Sequence, residues 1–249
     1  VGARDVVLLV DTFNRWFEPE NPRAAERVLA RAGYRVVSPD PARGRPLCCG
    51  RTFLAAGLID EARREARRMI AALAPHVAAG TPIVGLEPSC LLTLRDELPA
   101  LLPGDETAAL AARARLFEEF VETERAAGRF AIALQPMPGR SVLLHGHCHQ
   151  KAFGTVAAAL ATLRLVPDLV VETFASTCCG MAGSFGYEAE HYAMSLKIGE
   201  LGVLPRVRAA PSETILAACG TSCRHQIADM TGREAHHIVR ILDDAAVRG

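Results

Sequence analysis

Short apolar runs and amphipathic stretches alternate along the chain in two matched series. Val6–Val10 is an uninterrupted β-branched and Leu run of strand length that ends in Asp11-Thr12-Phe13. Beyond Pro19–Pro22, residues Ala24–Ala32 read as a helix with Val28 and Leu29 on its apolar side and Gly33 as its stop signal. Tyr34–Val37 reads as a second strand, and a Pro- and Gly-rich loop then leads to Cys48-Cys49-Gly50. A helical pattern from about Leu58 to Ala74 places Ile59, Ala62, Ala66, Met69 and Ile70 on one face. Thr81–Leu86 is a third strand, ending at Glu87-Pro88-Ser89-Cys90 before a helix over Leu92–Leu102. This alternation predicts parallel strands joined by right-handed crossovers.

A helical connector is expected from roughly Ala108 to Ala127, with Leu116, Phe117, Phe120 and Val121 packing on the first half. The order then repeats. Strand Ser141–Leu144 ends in His145-Gly146-His147-Cys148-His149, helix Val156–Leu165 follows, and strand Leu169–Phe174 leads to Cys178-Cys179-Gly180. Helix Glu188–Leu201 precedes strand Thr214–Ala218, which ends at Cys219-Gly220-Thr221-Ser222-Cys223, and a closing helix lies near Glu234–Ala245. The expected fold is α/β: two similar Rossmann-like repeats with parallel sheets, at 1–107 and 140–249, joined by a connector at 108–139. Cysteines fall at the C-terminal ends of strands, the edge where sites assemble in open parallel sheets.

The Cys-Cys-Gly triplets lie 130 residues apart and the Ser89-Cys90 and Ser222-Cys223 pairs 133 apart, so the thiol layout is duplicated. A formal charge of zero, with no basic run, excludes nucleic acid as an expected partner. Apolar stretches fall short of a membrane span and no signal segment opens the chain, so a soluble, cytoplasmic protein is expected. The first residue is Val rather than Met, which reads as a fragment or processed product with other domains missing.

Eight cysteines exceed what packing needs, and an adjacent Cys-Cys pair is a poor disulfide because the small ring it would close is strained. Metal or redox chemistry is the better reading. Thiolates can converge from distant sequence positions when a rigid sheet edge gathers them. Cys148, Cys178, Cys179 and Cys223 are the candidates of the second half, with Gly180 allowing positive φ and close backbone approach. Inert burial is the alternative for any single cysteine, and Cys219, inside an apolar run, is read as core.

Cys-Cys-Gly between an upstream Cys and a downstream Cys-x-x-Cys resembles the cysteine-rich CCG domain. Such domains occur in heterodisulfide reductases, in the iron–sulfur subunits of glycolate, lactate and glycerol-3-phosphate dehydrogenases, and at the carboxyl end of FAD-linked oxidases. Gly85-Leu86-Glu87-Pro88-Ser89-Cys90, His145-Gly146-His147-Cys148-His149-Gln150-Lys151, Cys178-Cys179-Gly180-Met181-Ala182-Gly183 and Gly220-Thr221-Ser222-Cys223-Arg224-His225-Gln226 look most like the last group. The resemblance implies two repeats, each able to hold an iron–sulfur cluster, sometimes non-cubane, or zinc. It implies a cluster of 4Fe-4S type on Cys148, Cys178, Cys179 and Cys223, although Gly220 stands where the pattern has a cysteine. In the first repeat Thr12 and Glu87 stand at expected cysteine positions. Cys48, Cys49 and Cys90 remain as metal ligands for zinc, with Glu87 or water, or for a cluster with a labile iron. The second repeat is therefore read as the cluster site and the first as degenerate or differently metallated.

His145, His147 and His149 would share a face of an extended segment, as ligands, proton carriers or backbone partners at a crowded strand end. His225 invites the same alternatives. His236-His237 reads as surface or interface, and Arg224 and Lys151 as cations beside thiolates or for an acidic partner. Gly180–Gly186 lacks the Gly-Lys-Ser ending of a phosphate loop. Asp60–Arg68 reads as a solvated face, and Trp16 with Phe13 and Phe17 as partner-facing or as core.

The function implied is an electron-transfer module of a flavin-linked oxidoreductase acting on a 2-hydroxy acid, with FAD on a partner or missing domain and a ferredoxin-like domain as further partner. The alternatives are a cluster-based thiol/disulfide reductase subunit and a zinc-stapled scaffold.

Overall fold

The computed structural model describes residues 3–39 and 44–247, in two compact units that meet in sequence at Ile132 and Ala133. Part of the loop before Cys48, residues 40–43, lies outside the described residues. The first unit runs β1 (Arg4–Leu9), α1 (Thr12–Trp16), α2 (Glu20–Arg31), β2 (Tyr34–Val37), α3 (Arg51–Ala55), α4 (Ile59–Ala78), β3 (Ile83–Gly85), α5 (Pro88–Thr93), α6 (Glu97–Leu101), α7 (Asp105–Arg113), β4 (Ala114–Leu116) and α8 (Phe117–Ala126). The second runs β5 (Ser141–His145), α9 (Cys148–Ala152), α10 (Val156–Leu163), β6 (Val170–Thr173), α11 (Tyr192–Glu200), α12 (Val203–Ala209), β7 (Ile215–Ala218), α13 (Thr221–Thr231), β8 (Ala235–His236) and α14 (Ile238–Ala245).

Each unit is built on a parallel four-stranded sheet, ordered β2-β1-β3-β4 in the first and β6-β5-β7-β8 in the second. Strands covered on both faces must be apolar throughout, which is why Val6, Val7, Leu8 and Leu9 in β1 and Val142, Leu143 and Leu144 in β5 are all buried. Chain order reverses between β1 and β3 and again between β5 and β7. Crossovers leave such a pair on opposite sides and open a crevice at the carboxyl ends.

The helical stripe of α4 is Ala62, Ala66, Met69 and Leu73, all buried, whereas Ile59 at the helix start is exposed. Leu116, Phe117, Phe120 and Val121 pack into the first unit as expected. The segment read as a purely helical connector contains β4, which pairs with β3 through Ile83↔Ala114. Likewise the expected closing helix begins with β8, paired to β7 through Leu216↔Ala235. Two or three residues carry no readable alternation, so ladder pairing in the folded sheet decides these strands. The helix expected at Leu92–Leu102 is two pieces, because Glu87 as cap and Pro88 in the first turn start α5 earlier. His237, read as surface, is fully buried and caps α14, its Nδ1 accepting from Val239 N at 3.1 Å.

Gly180 has φ 101, and a Cβ there would drive into the Ser195 carbonyl of α11. Gly33 shares the positive φ, at 86, but has open space around it. Gly180→Ala is therefore expected to destabilise the protein by about 3 kcal/mol or more, and Gly33→Ala by about 1 kcal/mol. Urea unfolding of the two variants checks this; equal losses would contradict the packing account.

Candidate functional site

Both units present their thiols on the crevice side of the sheet, on the segments that follow the first three strands. In the first unit Asp11 ends the β1 segment and caps α1, its carboxylate accepting from Phe13 N at 3.0 Å and Asn14 N at 3.1 Å. Asn14 Nδ2 donates to the other carboxylate oxygen at 2.7 Å. Thr12 opens α1 and donates its hydroxyl to the Cys48 sulfur. Glu87 caps α5, accepting from Ser89 N at 3.2 Å and Ser89 Oγ at 2.7 Å, which sets Cys90 in the first helical turn. Gly50, at φ 82, turns its N–H onto the Cys48 sulfur at 3.4 Å. Cys48 donates to Cys49 and Cys49 to Cys90, a row of three thiols.

The second unit repeats this frame with different chemistry. Cys148 occupies the place of Thr12, opening α9 behind its cap His147. Gly220 occupies the place of Glu87 as cap residue of α13, with Cys223 in the first turn as Cys90 is in α5. Gly180 N donates to the Cys178 sulfur at 3.3 Å, matching Gly50 and Cys48. Cys178 interacts with both Cys148 and Cys179, and Cys179 also with Cys223, which links four cysteines drawn from three separate loops. All eight cysteines are free of disulfides, and Cys219, just beyond β7, is fully buried.

Among the described residues, no three His, Cys, Asp or Glu side chains are arranged to hold a metal ion.

Electrostatics separate the two rows. Burial and the nearby Glu87 carboxylate push Asp11 up to about 6. Cys90 accepts from Cys49, which favours its thiolate, but burial and the carboxylates of Asp11 and Glu87 outweigh this and push it up to about 11. Cys48 is raised by donating to Cys49 and by burial. Cys49 gains from the Cys48 hydrogen bond, yet is raised on balance by donating to Cys90 and by burial. In the second row the directions alternate. Cys178 lies well below the usual thiol range because the Cys148 and Cys179 thiols and the N–H groups of Gly180 and Ala182 all point at it. Cys223 is lowered by the Cys179 thiol and then, against its burial, by His145 and His147. Cys148 and Cys179 are raised, chiefly because each donates to Cys178.

The three histidines do not continue one extended face, since α9 starts at Cys148. His147 Nδ1 accepts from His149 N at 3.2 Å, and His147 N donates to Gln150 Oε1 at 3.0 Å. His145 ends β5 and is buried, with Nδ1 on Ser176 Oγ at 3.1 Å. His225 bonds the Tyr187 hydroxyl at 2.7 Å. Arg224 is buried and donates to Ala218 O at 2.8 Å and Thr221 Oγ1 at 3.0 Å, tying the α13 turn to β7. Lys151 donates to Ser176 O at 2.7 Å and Thr177 O at 2.8 Å, so it clamps the loop before the Cys-Cys-Gly triplet. Trp16 and Phe17 are exposed. Asp11 and Ser176 escaped the sequence reading; for Asp11 the signal was present, an Asp directly before a helical start.

A duplicated α/β frame carries Cys-Cys-Gly turns at a parallel-sheet crevice, and residues 10–95 match the cysteine-rich domain of the CCG family. Over 199 residues the chain is 29% identical to a subunit of the anaerobic glycerol-3-phosphate dehydrogenase of Escherichia coli (strain K12), covering 80% of this chain and 49% of that protein. It is 30% identical over 251 residues to the D-2-hydroxyglutarate dehydrogenase of Pseudomonas putida, covering 98% of this chain and 23% of the relative. The enzyme of the same name from Escherichia coli (strain K12) is 27% identical over 248 residues, at 96% and 22% coverage. The chain thus spans about half the length of the first relative and under a quarter of the other two.

Thiolate fraction sets cysteine reactivity. Cys48 and Cys178 are both half-buried, yet Cys48 is raised above the usual thiol range and Cys178 is lowered below it. In metal-free protein at neutral pH, iodoacetamide should label Cys178 at least about tenfold faster than Cys48. Peptide mass spectrometry reads the ratio, and comparable rates would contradict the assignment.

Proposed function

We propose that the chain is the iron–sulfur electron-transfer module of a flavin-linked oxidoreductase acting on a 2-hydroxy acid, with the cluster held in the second unit by Cys148, Cys178, Cys179 and Cys223. One observation carries the reading: four cysteines from three loops come together at the β5/β7 crevice, Cys178 and Cys223 lowered and Cys148 and Cys179 raised by one another. Four cysteine sulfurs from three loops are the donor set that an iron–sulfur cluster takes. When bound, such a cluster supplies one-electron transfer. The chain's own part is to hold the sulfurs, to hydrogen-bond Cys178 through Gly180 and Ala182, and to bury Cys179 and Cys223 away from water.

For the first unit, Cys48, Cys49 and Cys90 with the Glu87 carboxylate form a harder, more anionic donor set. All three thiols are raised there, so they ionise only against a strongly positive centre. This supports zinc or a labile-iron centre in place of the cluster of the second unit. Relatives that are dehydrogenases, and that are longer than this chain, support placing FAD on a partner domain, with a ferredoxin-like domain as a further partner. Among the described residues no helix is long and apolar enough to cross a membrane.

Iron, acid-labile sulfide and zinc counted on protein purified without oxygen test the reading. Iron with sulfide is expected, and Cys179→Ser should remove the second-unit share while leaving the far-ultraviolet circular dichroism unchanged. Zinc alone, with no sulfide, would support the scaffold role; a cluster whose spectrum changes on adding a disulfide would support the thiol/disulfide reductase.

A further inference from the structure

A strand that is otherwise apolar ends in a buried imidazole. β5 reads Ser-Val-Leu-Leu-His, and the corresponding last residue of β1 is Leu9, so a hydrocarbon suits this place in the fold. His145 is 1% exposed and its Nε2 has no hydrogen-bond partner among the described residues. A buried polar atom left in this way requires an explanation. Its other nitrogen is held by a defined chain. The Lys151 ammonium donates to Ser176 Oγ at 3.0 Å, as well as to two carbonyls of the same loop. Ser176 Oγ lies 3.0 Å from that donor and 3.1 Å from His145 Nδ1, and with the ammonium on one lone pair its own proton is available to the imidazole.

In the arrangement proposed below, Nδ1 accepts that proton and the ring proton sits on Nε2. Phe174 packs beside the ring at a centroid distance of 5.9 Å and limits its rotation. With Nδ1 turned to Ser176, the Nε2 edge is what His145 presents to Cys223, the sulfur on which it acts. Nothing else buried there takes up that N–H. A thiol is a weak acceptor, whereas a metal-bound thiolate or cluster sulfur is a strong one.

Resting on the function proposed above, we propose that His145 is a positioning residue for the metal centre of the second unit: Lys151 and Ser176 hold its tautomer so that Nε2–H donates to the Cys223 sulfur. The first unit has no counterpart, since Leu9 stands at that position. A hydrogen bond to a ligand sulfur stabilises the more negative, reduced state of a cluster, so it raises the reduction potential. Its removal should favour the oxidised form.

The test is an anaerobic redox titration, followed by electron paramagnetic resonance, of the whole chain loaded with iron and sulfide. His145→Leu, copying Leu9, should load with iron and shift the one-electron equilibrium at least about tenfold toward the oxidised form, about 59 mV lower. His145→Gln, which restores an N–H at the Nε2 place, should recover at least half of that shift. Ser176→Ala, which frees the tautomer, should move the potential in the same direction by about threefold or more. Should leucine prevent loading, Ser176→Ala and His145→Gln against the parent carry the test. Loaded variants with the parent's potential would overturn the role of His145 alone. A parent chain that takes up no iron and sulfide would overturn the proposed function, and this inference with it.

Discussion

Parallel pairing of β1 with β3 and of β5 with β7 is the constraint on which everything else in this protein rests. Pairing two parallel strands that are not consecutive sends their crossovers to opposite faces of the sheet, and the segments leaving their carboxyl ends diverge around a crevice. Cys90 and Cys223 leave the third strand of each unit there, and the Cys-Cys-Gly turns arrive from the neighbouring edge strand. Glycine then sets the last ångströms. At Gly50 and Gly180 a left-handed backbone turns an N–H onto the preceding cysteine sulfur while α4 or α11 presses on the missing Cβ.

One frame therefore carries two different chemistries. The first unit surrounds its three thiols with the buried carboxylates of Asp11 and Glu87, and every thiol there resists ionisation. The second replaces those carboxylates with His147 and Gly220, and two of its four thiols are lowered below the usual range. The replacement is also steric. A side chain at Gly220 would run into the His147 ring, with Nε2 3.0 Å from where its Cβ would lie. The cysteine that the family pattern has at this place is thus excluded by the imidazole that caps α9. Electrostatics and packing thus separate the units: two thiols of the second are lowered, and all three of the first are raised.

Much of this was legible before any coordinates. Long β-branched runs such as Val6–Val10 locate the central strands because their burial on both faces leaves no polar alternation, and the matched triplet spacing announces the duplication. The edge strands β4 and β8 were hidden, since Ala114–Leu116 and Ala235–His236 are too short to show a period and sit against helical patterns. Cysteine placement on first helical turns depended on caps: Glu87-Pro88 could have been read that way, whereas a histidine cap such as His147 gives no such signal. The links among Lys151, Ser176 and His145 join residues up to 31 positions apart, and only the folded loop brings them together.

The central claim is that the second-unit sulfurs hold a multi-iron cluster. X-ray absorption at the iron edge, on the chain loaded without oxygen, tests it most directly. The account predicts an iron coordinated by sulfur with a second shell of neighbouring iron, both shells lost in a Cys223→Ser variant. Iron surrounded by nitrogen and oxygen with no iron neighbour, or a spectrum indifferent to Cys223, would contradict it.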